Sequence, residues 1–267
     1  MPITLTLQNP PEFYLEADCI SPDVFAGKSI GDIGLLPVYH GNQERKLSEF
    51  FIITGDSGPI TKETEIIIEG DCPLVQRLGE KMTDGKLTII GNCGMHLGNF
   101  MKGGSIKVEG NAGEWAGAMM ENGSIEISGN AGNHCASAYR GFWVGMTGGM
   151  IKVQGQVGVE SGSWMRSSKT YKKYPILWCG SADYYLGVHN HGGTLICNGD
   201  VEGRVGADMS HGQIIIMGKV KSMLPSFIKK GEVKEVVTPA GDFKGKYIEY
   251  TGDHAIPKPN GSLFVRK

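Results

Sequence analysis

From residue 79 onward the chain alternates apolar and polar positions in short bursts, each closed by a glycine. Ser105-Ile106-Lys107-Val108-Glu109 and Ser124-Ile125-Glu126-Ile127-Ser128 set aliphatic residues two apart with polar ones between and beside them. That is the two-residue period of a strand with one buried face. The bursts belong to a 13-residue unit, G-x-x-M-x-x-G-x-[IL]-x-[IV]-x-G, with copies starting at Gly79, Gly98, Gly117, Trp143, Gly187 and Gly206 and a weaker copy at Gly58. Trp143 stands in for the opening glycine of one copy, and Asn190 for the methionine of another. The steps 79 to 98, 98 to 117 and 187 to 206 are all 19 residues. The long step from Trp143 to Gly187 predicts a degenerate turn near Gly162 and Met165.

A short strand and a glycine turn every 19 residues leave no room for the helix that a βαβ crossover needs. The spacing predicts an all-β fold, a right-handed parallel β-helix (solenoid) of about 19-residue coils with glycine corners, in which equivalent positions stack about 4.8 Å apart. Leu87, Ile106, Ile125, Ile151, Leu195 and Ile214 would then form one internal ladder, and Ile89, Val108, Ile127, Val153, Cys197 and Ile216 the next. A closed antiparallel barrel or sandwich also uses short alternating strands, but its hairpins would not repeat one motif at one period. The expected organisation is one domain: an N-terminal cap over 1–57, repeats over 58–220 with an insertion at 159–186, and a C-terminal cap or tail over 221–267. In the early coils the outward strand positions are polar. In the last two, Ile196, Ile215 and Met217 replace them and call for a cover, either the chain's own tail at 245–266 or another subunit.

Composition narrows the function classes. Glycine supplies 41 of 267 residues, about twice its usual share of roughly 7%. With 12 prolines and no G-X-Y period, the glycines are positional rather than collagenous. Lys+Arg 26 against Asp+Glu 28 gives no global field for a polyanion, so nucleic acid is not an expected partner. No apolar run is long enough to span a bilayer, and the start has no secretory pattern, which predicts a soluble cytoplasmic protein without membrane contact. Six cysteines without a C-x-x-C pair predict buried, reduced thiols.

Chemistry-bearing motifs are weak. Phe25-Ala26-Gly27-Lys28-Ser29 ends like a phosphate loop, but Pro22 occupies the place of its first glycine, so the segment reads as a glycine turn followed by a polar cap. His189 and His191, with His211 near by if coils stack in register, could ligate a metal, yet no Asp, Glu or Cys has the spacing to complete a set. Asp183, Asp200 and Asp208 read as turn residues. No catalytic, cofactor-binding or metal-ligating residue is therefore predicted.

The repeat copies resemble the β-helical C subunit of formylmethanofuran dehydrogenase, which is similar to the C-terminal domain of the glutamate synthase large subunit. The resemblance rests also on the steps Gly91-Asn92-Cys93-Gly94, Gly110-Asn111-Ala112-Gly113 and Gly129-Asn130-Ala131-Gly132. Flanking segments add to it: Ile20-Ser21-Pro22-Asp23, Phe25 to Ser29, Leu36-Pro37-Val38-Tyr39 and Tyr250-Thr251-Gly252-Asp253. It implies membership of an oxidoreductase complex that reduces CO2 to formate and condenses formate with methanofuran. The tungsten or molybdenum pterin, the iron–sulfur clusters and the zinc would lie in other subunits. The implied partners are amidohydrolase-like and pterin-binding subunits and a polyferredoxin, and the implied role is a scaffold without an active site. A formyltransferase/hydrolase complex with a related subunit, and a stand-alone β-helical carbohydrate enzyme, are the alternatives.

The segment between the copies at Trp143 and Gly187 concentrates aromatic and basic residues, the side chains that dominate interface energetics. Trp164, Arg166, Tyr171, Lys172, Lys173, Tyr174 and Trp178 are the candidate interface residues; a loop packed on its own coil is the competing reading.

Overall fold

The computed structural model describes residues 1–168 and 173–267. The chain is nearly all β. One 13-stranded sheet runs through the molecule, and a 4-stranded sheet joins Gln43–Lys46, Pro37–His40, Leu15–Glu16 and Val75–Gln76. In the large sheet the strands Ile3–Leu7, Glu65–Glu69, Lys86–Ile90, Ser105–Val108, Ser124–Ile127, Met150–Val157, Ile176–Ala182, His191–Cys197, His211–Ile216 and Asn260–Arg266 lie side by side, each parallel to the next. Consecutive strands therefore pair in parallel across the repeat, not as hairpins.

The register follows the repeat. Leu87 faces Ile106, Ile106 faces Ile125, and Ile125 faces Ile151; the next neighbours are Leu177, Leu195 and Ile214. Leu177 fills the gap expected between Ile151 and Leu195, and Cys179 does the same between Val153 and Cys197. All these side chains are buried. The long step is thus a further repeat: Gly162 has φ +71° and Met165 is fully buried. The first strand, Ile3–Leu7, counted with the cap segment by sequence, continues the ladder through Ile3 beside Ile66 and Leu5 beside Ile68.

Two further lines of contact run parallel to the sheet. Single-residue bridges connect Cys72, Cys93, Ala112, Ala131 and Val157 in parallel, and Ala182, Val201 and Val220 continue them. Beside them, the Oδ1 atoms of Asp71, Asn92, Asn111 and Asn130 accept backbone N–H bonds from Asn92, Asn111, Asn130 and Gln156 at 2.7–2.9 Å. The third line is the corner at the opening residue of each unit. Gly98 N–H donates to Leu78 O, Gly117 to Leu97 O, Gly162 to Cys135 O and Gly187 to Ser161 O, at 2.7–2.9 Å.

At six of the seven corners from Gly79 onward the residue is glycine. A Cβ on Gly117, at φ +64°, would collide with Ile151 Cδ1, because the ladder residue of the following repeat fills the space. In the unit counted from Trp143 by sequence, Ala136 takes this place instead. Its φ is +60° and its N–H donates to Ala116 O at 2.8 Å. Residues 138–144 are then an insertion between Ala136-Ser137 and Gly145-Met146, and Trp143 lies on that loop. Behind the corner Met82, Met101, Met120, Met146, Met165 and Met209 are fully buried. Asn190, which replaces one of them, is also fully buried; its Oδ1 accepts from Gly193 N–H at 2.7 Å and its Nδ2 donates to Gly193 O at 3.0 Å, so its polar atoms cost little desolvation.

At the N-terminal end are two short helices: Pro22–Phe25 packs against Thr61–Glu63, and Ile30–Gly34 against Leu47–Glu49 and Phe51–Thr54. Ser29 caps the second, its Oγ accepting from Asp32 N–H at 3.2 Å, and Gly27 has φ +72°. The phosphate-loop resemblance is thus the expected turn and cap. At the other end the hairpin of Ile228–Thr238 and Gly241–Gly252 pairs antiparallel and extends the sheet beyond Asn260–Arg266. Val236 and Tyr247 of this hairpin join Ile176, Ile196, Ile215 and Phe264 in a second buried cluster, with Met217 and Trp178 packed against it. The chain's own tail therefore covers the apolar outer positions. Among the described residues no helix is long and apolar enough to cross a membrane.

Candidate functional site

Each repeat from Gly79 onward holds a non-glycine residue in the left-handed region two positions before the opening residue: Arg77, His96, Trp115, His134, Glu160, Tyr185 and Arg204. A second such column follows two positions after it: Lys81, Phe100, Met119, Trp164, His189 and Asp208. Their φ values span 54–66°, a conformation costing an L-residue about 1 kcal/mol or more. The stacking sustains it, since the backbone N–H of the first column donates forward: His96 to Glu114 O, Trp115 to Asn133 O, His134 to Val159 O and Glu160 to Tyr184 O, all at 2.9–3.1 Å. The repeat thereby lines up large side chains on one edge of the molecule, although they lie 19 to 26 residues apart in sequence.

On this edge Trp115 stacks on His134 at 4.1 Å between ring centroids and on Tyr139 at 4.9 Å. Tyr139, at the start of the inserted loop, bonds His96 Nδ1 through its hydroxyl at 2.7 Å. Trp164 stacks on His189 at 4.3 Å and meets Trp143 edge-on at 5.1 Å. Carboxylates lie among the rings: Glu160 is 3.6 Å from His134 Nδ1, and Asp208 is 3.7 Å from His189 Nδ1. Burial holds the imidazoles of His96, His134 and His191 below their ordinary range, with Arg77 adding to the effect at His96 and Arg166 at His191. They are therefore neutral near pH 7 and suited to stacking. Phe142 and Trp143, at the loop tip, are 55% and 68% exposed, an apolar pair with no cover in the chain itself.

The candidate interface residues divide between faces. Trp164 belongs to the aromatic edge, and Arg166 is exposed beyond it, its N–H donating to Met146 O at 3.0 Å. Lys173 lies with its Nζ 3.6 Å from Glu121 Oε2, and Tyr174 is 41% exposed. Trp178 is elsewhere, beside the C-terminal hairpin: its indole donates to Asn198 Oδ1 at 2.9 Å and its ring meets Phe243 edge-on at 5.7 Å. Tyr171 and Lys172 lie outside the described residues. Sequence reasoning missed Trp115, His134, Tyr139 and Glu160, and took Trp143 for a repeat anchor. The available signal was the column two positions before Gly79, Gly98, Gly117, Gly187 and Gly206, which carries bulky or charged side chains.

The histidines singled out by sequence are drawn into other bonds. His191 Nδ1 bonds Ser210 Oγ, and His211 stands beside His191 in strand register. Among the described residues no three His, Cys, Asp or Glu side chains converge as metal donors. All six cysteines are free and buried. Burial pushes the thiols of Cys19, Cys72 and Cys135 up to about 12, so they are protonated and unreactive at neutral pH.

No protein-family model matches the chain. Among curated proteins, the C subunit of the tungsten-containing formylmethanofuran dehydrogenase 2 of Methanococcus maripaludis is 43% identical over 269 residues, spanning 98% of this chain and 96% of that protein. The C subunit of the molybdenum-containing formylmethanofuran dehydrogenase 1 of Methanosarcina barkeri is 49% identical over 86 residues, 32% of this chain and 29% of the other. Among solved structures, a chain of the formyltransferase/hydrolase complex from Methylorubrum extorquens, crystallised with methylofuran, superposes with a TM-score of 0.86 at 25% identity over 99% of both chains.

Proposed function

The chain belongs to the C-subunit family of formylmethanofuran dehydrogenase, and from that membership we propose that it works as a non-catalytic scaffold in such a complex. The complex would reduce CO2 to formate and condense it with methanofuran, in the cytoplasm. Its tungsten or molybdenum pterin, iron–sulfur clusters and zinc would be held by neighbouring subunits, with amidohydrolase-like and pterin-binding subunits and a polyferredoxin as partners. The parallel strands would wind as a right-handed β-helix over 58–220, capped by 1–57 and 221–267. The observation that carries the scaffold reading is the aromatic edge: Phe142 and Trp143 stand exposed beside Trp164, on a wall whose interior is filled by aliphatic and methionine side chains. Exposed aromatics on a rigid support suit docking better than chemistry.

The test is the double variant Trp164→Ala with Arg166→Ala in the purified complex. Assembly should weaken by about 3 kcal/mol, while the isolated chain melts close to the parent. Normal assembly, with stability lost only in the isolated chain, would place the interface elsewhere. An isolated monomer with hydrolytic activity would sink the scaffold altogether. The likeness to the Methylorubrum complex favours a second reading, the corresponding subunit of a formyltransferase/hydrolase complex. Tungsten or molybdenum in the co-purified complex decides for the dehydrogenase, and their absence for the second reading.

A further inference from the structure

Between the inserted loop and the corner columns lies a pocket of about 120 Å³ bordered by five aromatic rings, those of Trp115, Tyr139, Phe142, Trp143 and Trp164. Trp115 lies flat against Tyr139, and Trp143, 68% exposed, stands at 81° to Trp164. Glu160 borders the same pocket. Its ion-pair neighbour among the described residues is His134, whose imidazole burial keeps neutral near pH 7, so that ring brings no positive charge to the pocket.

One cation is close. Arg140 lines the pocket too, and among the described residues it makes no ion pair with Glu160. Among the described residues the ring–cation contacts are Lys152 over Trp178 and Arg204 over Tyr185, so Arg140 stacks on none of the five rings. The pocket thus sets a carboxylate among aromatic rings, the chemistry that holds a cation within about 6 Å of a ring centre. Size limits the ligand. Sites for cofactors and drug-sized molecules run from about 300 Å³ upward, whereas 120 Å³ suits one guanidinium or ammonium head. The rim of Phe142 and Trp143 adds an exposed apolar surface that a free small cation would leave uncovered and a protein surface would bury.

We propose that this pocket receives one basic side chain, arginine or lysine, from the neighbouring subunit and anchors the docking face. The inference rests on the docking role of the aromatic edge and adds the chemistry of the partner's contact.

Three of the four tryptophans border the pocket, so tryptophan fluorescence reports its occupancy. The full-length chain is titrated with arginine amide and, separately, with its neutral isostere citrulline amide. Arginine amide should bind at least about five-fold tighter, the scale of a desolvated cation–π contact. Glu160→Gln should abolish that preference, and Trp143→Ala should weaken arginine amide by about five-fold. Both substitutions change exposed or half-exposed side chains, and a melting curve checks that the fold is kept. Equal binding of the two amides, or a preference that survives Glu160→Gln, overturns the proposal. In the assembled complex Glu160→Gln should speed release of the neighbouring subunit about ten-fold. If Trp164→Ala with Arg166→Ala disrupts assembly while Glu160→Gln does not, docking stands and the basic anchor falls. If neither changes assembly, the docking role itself falls.

Discussion

Strands Ser105–Val108 and Ser124–Ile127 share their inward ladder with His191–Cys197 and His211–Ile216 but present opposite outer faces. Outside the early pair, Lys107 and Glu109 meet in solvent at 2.7 Å, a contact worth well under about 1 kcal/mol. Outside the late pair, Ile196 and Ile215 are fully buried against Val236, Tyr247 and Phe264. The inner face is dictated by stacking and is alike throughout. The outer face is dictated by what lies over it, and only the late strands have the hairpin.

The largest effect tests what the two regions share. Ile125→Asp puts a carboxylate between Ile106 and Ile151 in the ladder, where an unpaired buried charge costs several kcal/mol. Soluble yield and the unfolding midpoint should both collapse, and a parent-like melt would mean that the ladder faces outward. The second test separates the regions. Ile215→Ser should cost about 3 kcal/mol through lost burial and a cavity, whereas Lys107→Ser on the early outer face should stay within about 0.5 kcal/mol. Equal costs in denaturant titrations would erase the distinction.

Smaller effects concern the corner. Ala136→Gly relieves an L-residue at φ +60° but loosens the unfolded chain, so a gain of at most about 1 kcal/mol is expected. Gly117→Ala should destabilise clearly, because its Cβ would meet Ile151. The smallest effect is in pH. His96 and His134 are held below their ordinary value of 6.5 by burial, so the folded form resists the proton that the unfolded chain accepts. Their contribution is complete above pH 6.5 and is lost as pH falls below it. The melting midpoint should therefore drop between about pH 7 and 5, and His96→Gln with His134→Gln should flatten that drop.

The strand ladder was legible because alternation and a fixed step leave each inward residue one possible neighbour. The additional repeat was legible too, since Gly162 and Met165 kept two anchors. The copy counted from Trp143 was misplaced because Ala136 breaks the glycine signal, while the inserted loop supplies a residue at a plausible distance from Met146. The aromatic edge was hidden for a related reason. Trp115, His134, Glu160 and Trp164 are isolated in sequence, and they converge only once the path from Trp115 through His134 to Glu160 is resolved into a 19-residue step and a loop-lengthened one of 26. The hairpin cover left only its outer half legible, as apolar residues at Ile196, Ile215 and Met217.

The unbroken run of ten parallel strands also makes the molecule a ruler. Each repeat advances the stack by one interstrand spacing, about 4.8 Å, so the first and last parallel strands stand roughly 43 Å apart. Lengthening a turn, as at residues 138–144, leaves that distance unchanged. Only adding or deleting a whole repeat alters it, and then by a fixed increment. Anything attached at the two ends of this chain can therefore be moved apart or together in steps of one strand, with no intermediate settings.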